Sequence, residues 1–218
     1  MIALPDYCIW DFNGTILDDV QVGIASVNHL LSKRGLPLIE SEEAYRRVFR
    51  FPIRSYYEGL GFDFSKEPYE VIAPLWVEQY MKRIGKAGLC HGVLEALKGF
   101  RELGVKQVVL SATERGMLLG QLRSLGIEEY FEEVLGLDNI HAASKLSLAR
   151  DWRQRHPDAT AIFLGDTDHD YETAVAMNAR CYLILGGHQS EEFLRGVGAP
   201  VYGNVTEIYN EIKNYTAK

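Results

Sequence analysis

The stretch that decides the fold is residues 7–18, which read Tyr7-Cys8-Ile9-Trp10-Asp11-Phe12-Asn13-Gly14-Thr15-Ile16-Leu17-Asp18. It opens with an apolar run, as buried strands of parallel sheets do. Asp11 stands where the run stops, and Gly14 and Thr15 follow in a predicted tight turn. Two interpretations fit: Asp11 is a nucleophile and the Gly14-Thr15 turn holds a phosphate on backbone donors, or Asp11 is a solvated turn residue. Motifs further along the chain favour the first.

Composition places the chain among ordinary globular proteins. It has 218 residues, 47% of them apolar and 24% charged, enough for one domain that carries a smaller insertion. The net charge is −7, and no basic patch suggests a nucleic-acid footprint. We therefore predict no nucleic-acid partner, and an anionic substrate would need a local positive site.

Cysteine usage and hydropathy indicate a reduced, cytoplasmic setting. The three cysteines form no Cys-x-x-Cys pair, and Cys8 and Cys181 lie in apolar, strand-like runs where we expect small buried side chains. Residues 1–6 lack the basic start of a signal peptide, and no apolar run approaches the roughly 20 residues that span a bilayer. No membrane partner is expected. The pattern leaves open whether the chain is a monomer or a homodimer.

Hydrophobic periodicity divides the chain into two parts. From residue 18 to 87 we find one helical pattern after another, separated by Gly and Pro, and no convincing strand. From residue 88 onward, strands alternate with helices, which indicates a parallel sheet covered on both faces. We predict a Rossmann-like α/β core of residues 1–17 and 88–218 and an inserted all-helical cap of residues 18–87. The predicted strands are 7–12, 106–111, 133–135, 161–165, 181–185 and a short one near Val201.

Polar residues gather where these strands end. Ligands of open parallel sheets bind outside the carboxyl ends of the strands. Asp11 ends the first strand, Ser111-Ala112-Thr113 ends the second, and Asp166-Thr167-Asp168-His169-Asp170 ends the fourth, while Lys145 begins the helix before that fourth strand. Each one alone fits an ordinary polar loop residue. Together they are the residue types that handle a phosphate or a hard cation.

The chemistry of this set suggests magnesium and a phosphoryl group. Asp11, Asp166 and Asp170 offer the carboxylate oxygens that Mg²⁺ prefers, and the cation would relieve the repulsion among them. Ser111, with its neighbour Ala112, and Lys145 are placed to bind the phosphoryl oxygens. We therefore predict Mg²⁺ as the cofactor and a small phosphorylated molecule as the substrate.

Four motifs, in this order along the chain, resemble the haloacid dehalogenase-like hydrolase superfamily, and within it the phosphatases related to phosphoglycolate phosphatase. They are residues 11–16, residues 109–113, Lys145 and residues 165–170, and they span nearly the whole chain. The inserted helical cap is also like this family. The resemblance implies that Asp11 forms an aspartyl-phosphate and that Ser111 and Lys145 bind phosphate.

The resemblance also implies a metal site. Its ligands would be Asp11, the backbone carbonyl of Asn13 and Asp166, with Asp170 as a further ligand or in support. The spacing favours Asp170 over Asp168 as the residue nearer the cation.

Asn13 departs from the family pattern, in which phosphatases usually carry a second aspartate here that protonates the leaving alkoxide. An amide has no proton to give near neutral pH. Three interpretations follow. The substrate's leaving group needs no proton, as in an acyl or phenyl phosphate; another group such as His169 substitutes; or the chain is a non-catalytic or very slow phosphometabolite-binding protein on the same scaffold.

The predicted cap carries the one basic cluster of this acidic chain. Its members are Arg46, Arg47, Arg50 and Arg54. They are candidates for meeting an anionic substrate when the cap closes. The alternative is a solvated helix face paired with Glu42, Glu43 and Glu58. The aromatic residues around them are expected to form the core of the cap.

Overall fold

The computed structural model describes residues 4–138 and 145–216. Six parallel strands form one sheet in the order β3-β2-β1-β4-β5-β6. The strands are β1 (Tyr7–Trp10), β2 (Lys106–Glu114), β3 (Glu133–Leu137), β4 (Ala161–Gly165), β5 (Arg180–Ile184) and β6 (Val201–Tyr202). The predicted α/β class with a parallel sheet is confirmed.

Ten α-helices and two 3₁₀ turns complete the described residues. The turns are Ile84–Lys86 and Glu128–Tyr130. The helices are α1 (Val20–Lys33), α2 (Glu42–Val48), α3 (Ile53–Gly59), α4 (Tyr69–Met81), α5 (Val93–Glu102), α6 (Arg115–Ser124), α7 (Leu146–Arg155), α8 (Asp168–Ala176), α9 (Glu191–Arg195) and α10 (Val205–Thr216).

Strand periodicity builds two apolar layers on the sheet. Successive side chains of a strand point to opposite faces. In β1, Cys8 and Trp10 join the cluster on one face, and Tyr7 and Ile9 join the cluster on the other. All four are buried, so β1 is covered on both faces, which is why its sequence is a continuous apolar run. The buried Cys8 and Cys181 are as predicted.

Helices α1 to α4 have an apolar cluster of their own. It is centred on Val27 and Leu31 of α1 and includes Tyr45, Tyr57 and Ile72 from the helices that follow. The helical character of residues 18–87 agrees with the prediction, and Pro74 lies inside α4. The division into a core of 1–17 and 88–218 and a separately moving cap of 18–87 stays a prediction. We refer to residues 18–87 as the helical segment.

Strand β2 is longer than the sequence predicts. We expected it to stop at Ser111, but it continues to Glu114, and its register with β3 shifts between Leu110 and Glu114. Such irregularities re-aim side chains at the end of a strand. They place Ser111, Ala112 and Thr113 in the last part of the strand itself.

None of the helices within residues 4–138 and 145–216 combines the length and the apolar character that crossing a bilayer requires.

Candidate active site

The carboxyl edge of the sheet brings three aspartates together. Asp11 follows β1, Asp166 follows β4, and Asp170 lies in the first turn of α8. Adjacent parallel strands end at the same edge, so β1 and β4 deliver Asp11 and Asp166 side by side. One carboxylate oxygen from each residue lies within 4.8 Å of the others, and all three side chains are buried. This is the juxtaposition that the motifs predict.

Lys145 is the buried cation of this cluster. Its Nζ lies 2.5 Å from Asp11 Oδ1 and also contacts Asp170 Oδ1. The lysine itself is 3% exposed, which means that its charge is sustained by the two carboxylates rather than by water. An ammonium has three donors, so after these two bonds one N–H is left for a further acceptor.

Asp170 is held rigidly by the start of α8. Its Oδ2 accepts hydrogen bonds from the backbone N–H groups of Asp166 (3.0 Å) and Thr167 (2.9 Å) and from the Thr167 hydroxyl (2.7 Å). A carboxylate at this position also interacts favourably with the helix N-terminus. Lys145 and these bonds outweigh the effect of burial and hold the pKa of Asp170 below its usual range.

Asp166 is fixed from two other loops. Its Oδ1 accepts from the Thr15 hydroxyl (2.9 Å) and its Oδ2 from the backbone N–H of His188 (2.7 Å). The turn that brings Thr15 here requires Gly14, whose φ is +75° and whose missing Cβ would lie 2.4 Å from Asp166 Oδ2. A side chain at residue 14 would therefore displace the Asp166 carboxylate.

The charge balance of the cluster fits a divalent cation. Burial and the nearby charge of Asp170 raise the pKa of Asp11 well above its usual range, and burial raises the pKa of Asp166 to about 6. One ammonium does not neutralise three carboxylates. A hard cation with oxygen ligands would complete the neutralisation, and these residues fit Mg²⁺.

Asn13 is fully engaged by its neighbours. Its Nδ2 donates to Asp19 Oδ2 and to the Tyr80 hydroxyl, both at 2.8 Å, and its Oδ1 accepts from the Thr113 hydroxyl at 2.9 Å. The amide therefore connects the turn after β1, helix α4 and the end of β2. Residue 13 is thus a hydrogen-bond donor to Asp19. A carboxylate at residue 13 could donate this bond only if it were protonated.

A second buried ion pair lies beside Asn13. His188 Nε2 is 3.3 Å from Asp19 Oδ1, and its Nδ1 is 2.8 Å from the Tyr45 hydroxyl. Burial alone would lower the pKa of His188, but the charges of Asp19, Asp166 and Asp11 raise it to about 9. Burial also opposes ionisation of Asp19, yet His188 and the bonds from Tyr80 and Asn13 keep the pKa of Asp19 below its usual range.

A cavity of about 390 Å³ opens in front of Asp11. The core contributes Asp11, Asn13, Ser111, Ala112 and Lys145 to its lining, and the helical segment contributes mostly aromatic side chains. Its volume is in the range of small-molecule sites. The cavity therefore joins the carboxylate cluster to a space that can hold an organic group.

The residues predicted to bind phosphate fall into two groups. Ser111, Ala112 and Lys145 line the cavity. Gly14 and Thr15 are absent from the described lining. The Gly14 N–H donates to Leu17 O and Asp19 Oδ1, and the Thr15 hydroxyl donates to Asp166. All five assignments stay predictions, and those of Gly14 and Thr15 have the weaker geometric support.

The four arginines do not converge on the cavity. Arg46 donates to the carbonyls of Gly187 (2.8 Å) and Gly186 (2.7 Å) and pairs with Glu42. Arg47 pairs with Glu43 on an exposed face, and Arg50 donates to Val48 O. Of the four, Arg54 alone is among the described lining residues, and it pairs with Glu58. Arg47 and Arg54 have the acidic partners that the solvated-face alternative predicts, and Arg46 joins the helical segment to the loop after β5. A role of these arginines in binding the substrate stays a prediction.

His169 also lines the cavity. Its Nδ1 lies 3.0 Å from Glu172 Oε2, and its ring packs on Phe51 with the centroids 4.7 Å apart. Its exchange of a proton with a leaving group stays a hypothesis.

Sequence reasoning missed Asp19 and His188. Asp19 immediately precedes α1 and is 2% exposed. His188 follows β5, at the same edge of the sheet as Asp11. The rule that ligands bind beyond the carboxyl ends of parallel strands applies to the Gly186-Gly187-His188 loop and is the signal that could have found it.

The geometry of the core agrees with a comparison of the chain with known families. Residues 8–184 match the family of haloacid dehalogenase-like hydrolases, and the chain belongs to that family. The resemblance inferred from the four motifs is confirmed.

Individual relatives are distant. The chain is 24% identical over 193 residues to the tyrosine-protein kinase PtkA of Mycobacterium tuberculosis. The aligned region covers 87% of this chain and 65% of that protein. It is 23% identical over 200 residues to phosphoglycolate phosphatase 1 of Pseudomonas aeruginosa, and this alignment covers 85% of this chain and 71% of that protein. A haloacid dehalogenase-like family hydrolase from Streptococcus pneumoniae superposes with a TM-score of 0.81 at 17% identity, covering 96% and 99% of the two chains. At 17% identity, the superposition shows that the two chains share a fold and shows nothing about function.

Proposed function

We propose that the chain is a Mg²⁺-dependent phosphohydrolase that acts on a small phosphorylated metabolite through Asp11. The observation that carries this is the Asp11 carboxyl at the cavity, 2.5 Å from Lys145 Nζ and within 4.8 Å of Asp166 and Asp170. Other polar sites of the described chain lack a carboxylate cluster of this kind next to a ligand-sized cavity. Relatives named phosphoglycolate phosphatase support a phosphate ester as the substrate.

Asp11 is the nucleophile in this proposal. Its oxygen attacks phosphorus, the bond from phosphorus to the leaving oxygen breaks, and an aspartyl-phosphate forms on Asp11. Water then attacks the phosphorus and releases inorganic phosphate. Lys145 orients Asp11, and its remaining N–H together with Ser111 binds the phosphoryl oxygens.

Mg²⁺, when bound, supplies positive charge that lets an anionic carboxylate approach an anionic phosphate. Asp11, Asp166 and Asp170 would hold it, with the backbone carbonyl of Asn13 as the further ligand that the family pattern implies. Asp170 has its Oδ2 engaged by three hydrogen bonds, so only Oδ1, which also contacts Lys145, is available for a metal.

Asn13 supports one alternative, a protein that binds a phosphorylated ligand but turns it over very slowly. General acid–base catalysis typically contributes about 10²–10⁴-fold, and Asn13 cannot supply it. The two proposals share the site and differ in whether phosphate is released.

The test combines turnover with metal binding. Phosphate release from acetyl phosphate and phenyl phosphate is measured with Mg²⁺ and with a chelator, for the wild type, Asp11→Asn and Asp151→Asn. Asp151 is an exposed aspartate of α7 and serves as the matched control. We expect release that needs both Mg²⁺ and Asp11 and is unaffected at Asp151.

Calorimetry with MgCl₂ helps to distinguish a phosphohydrolase from a protein that only binds its phosphorylated ligand. We expect Mg²⁺ uptake by the wild type and a loss of at least tenfold in affinity for Asp166→Asn. Uptake without any phosphate release would favour the binding protein. Release that persists in Asp11→Asn would reject Asp11 as the nucleophile.

A further inference from the structure

The wall that the helical segment contributes to the cavity is aromatic. Its members include Phe49, Phe51, Tyr57, Tyr69 and Trp76. Part of this set packs on the core of the helical segment, as predicted, yet the same side chains face the cavity next to Asp11. Aromatic surfaces of this kind bind flat apolar groups, with ring-to-ring contacts adding to the burial of apolar area.

Each basic side chain of the described cavity lining already has an acidic partner, so a second negative charge would have to compete with one. Lys145 is shared by Asp11 and Asp170, His188 is paired with Asp19, and His169 contacts Glu172. Glu58 lies 3.4 Å from the guanidinium of Arg54, which also packs over the ring of Phe64 at 5.0 Å. A charge brought in without a partner is strongly disfavoured.

The amide of Asn13 sets the requirement on the leaving group. All its polar atoms are engaged by Asp19, Tyr80 and Thr113, and an amide gives no proton. Asn13 therefore cannot protonate the leaving oxygen, and a leaving group that is stable as an anion needs no such proton. The pKa of a phenol lies near 10, as for tyrosine, and is far below the pKa of water. An aromatic alcohol leaves readily under this condition.

We propose that the substrate is an aryl phosphate monoester, whose uncharged aromatic group occupies the wall formed by the helical segment. This rests on the proposed function. Asp11 attacks phosphorus, the phosphorus–oxygen bond to the ring breaks, and the aryloxide leaves with the electron pair and takes a proton from water. Water then hydrolyses the aspartyl-phosphate, so that the sum is aryl phosphate plus water giving phenol plus inorganic phosphate.

Three substrates test the class in the presence of Mg²⁺. Phenyl phosphate has the ring and the good leaving group, cyclohexyl phosphate has a similar size and a poor leaving group, and phosphoglycolate carries a second charge. We expect kcat/KM for phenyl phosphate to exceed both by at least tenfold. Asp11-dependent turnover in which phosphoglycolate equals or exceeds phenyl phosphate overturns the aryl assignment and leaves the phosphohydrolase standing.

Binding of phosphonates separates the two proposals, because they are not hydrolysed. Calorimetry with Mg²⁺ compares phenylphosphonate with phosphonoacetate, and we expect at least tenfold tighter binding of phenylphosphonate. Equal or tighter binding of phosphonoacetate overturns the aryl class. Selective binding of phenylphosphonate without turnover of any ester rejects the hydrolysis and retains the aromatic ligand class.

Variants of the wall give the residue-level test. Trp76→Ala should raise KM for phenyl phosphate about tenfold and should raise KM for phosphoglycolate much less. Phe193→Ala removes an exposed aromatic residue that is not part of the described cavity lining and is the matched control. An identical effect of Trp76→Ala on aromatic and aliphatic esters would contradict the proposal.

Discussion

At the scale of the residue, the pair of Asn13 and Asp19 gives this site its character. The Asp19 carboxylate accepts hydrogen bonds from Asn13 Nδ2 (2.8 Å) and the Tyr80 hydroxyl (2.6 Å), and it faces His188. A carboxylate at residue 13 would meet the negative charge of Asp19 at hydrogen-bonding distance. The amide is thus matched to a buried acid that the chain places six residues later.

This pairing predicts how an acid introduced at residue 13 behaves. Asn13→Asp should lower the free energy of unfolding by about 2 kcal/mol, because the hydrogen bond to a charged group is lost and two carboxylates face each other. The double variant Asn13→Asp with Asp19→Asn restores one donor and one acceptor between the two residues, although Asp19→Asn also removes the carboxylate that faces His188. The double variant should therefore lose less stability than Asn13→Asp and Asp19→Asn lose in sum. Urea unfolding measures all three variants.

The same two variants report on the leaving group. If proton transfer fails only because residue 13 is an amide, kcat of the double variant should depend less on the pKa of the leaving group than kcat of the wild type does. A loss of stability in the double variant equal to the sum of the two single losses would show that Asn13 and Asp19 are not coupled.

At the scale of the element, helix α2 is connected to the loop after β5. Arg46 donates from Nε and Nη2 to the carbonyls of Gly187 and Gly186, and Tyr45 on the same helix reaches His188. These contacts tie the helical segment to the loop that carries the N–H bound to Asp166. A change in α2 is therefore felt at the carboxylate cluster.

Adjacent arginines provide a matched comparison. Arg46→Met should lower the free energy of unfolding by about 1–2 kcal/mol and speed amide hydrogen exchange in residues 186–189, because two hydrogen bonds to carbonyls are lost. Arg47→Met removes an exposed pair with Glu43 on the same helix and should change stability by less than about 0.5 kcal/mol. Similar effects of both variants would mean that the contacts of Arg46 do not anchor the loop.

At the scale of the whole molecule, charge couples the stability of the fold to pH. His188 sits where α2, the turn before α1 and the loop after β5 meet, and its pKa is raised to about 9 by Asp19, Asp166 and Asp11 against the effect of burial. The folded state therefore favours the protonated imidazole. Its contribution is complete below pH 6.5 and is lost as the pH rises through about 9.

Unfolding in the presence of a chelator tests this linkage. Between pH 6.5 and 9 the wild type should lose stability, with a full contribution of about 3 kcal/mol for a shift of this size. His188→Gln carries no titrating group and should show a flatter profile across the same range. Parallel profiles of the two proteins would contradict a charged His188–Asp19 pair.

Much of the fold followed from local patterns in the chain. Two apolar runs of strand length end in Asp11 and Asp166, and strands alternate with helices along the chain. These patterns can be recognised within short stretches of sequence, so they were sufficient to predict parallel strands whose carboxyl ends meet. The end of β2 was misjudged, since Ser111-Ala112-Thr113 lacks strand character and pairing with β3 extends the strand to Glu114.

The sequence by itself determined the family, the sheet, the helical segment and the cluster of Asp11, Asp166, Asp170 and Lys145, since apolar runs show which residues end each strand and parallel strands end at one edge. Only the tertiary structure decided that Asp19 and His188 form a buried pair and that Arg46 contacts the loop after β5. The physical reason is that each of these contacts joins the helical segment to the core, so it depends on how that segment packs against the sheet edge. No periodicity within one element records that packing.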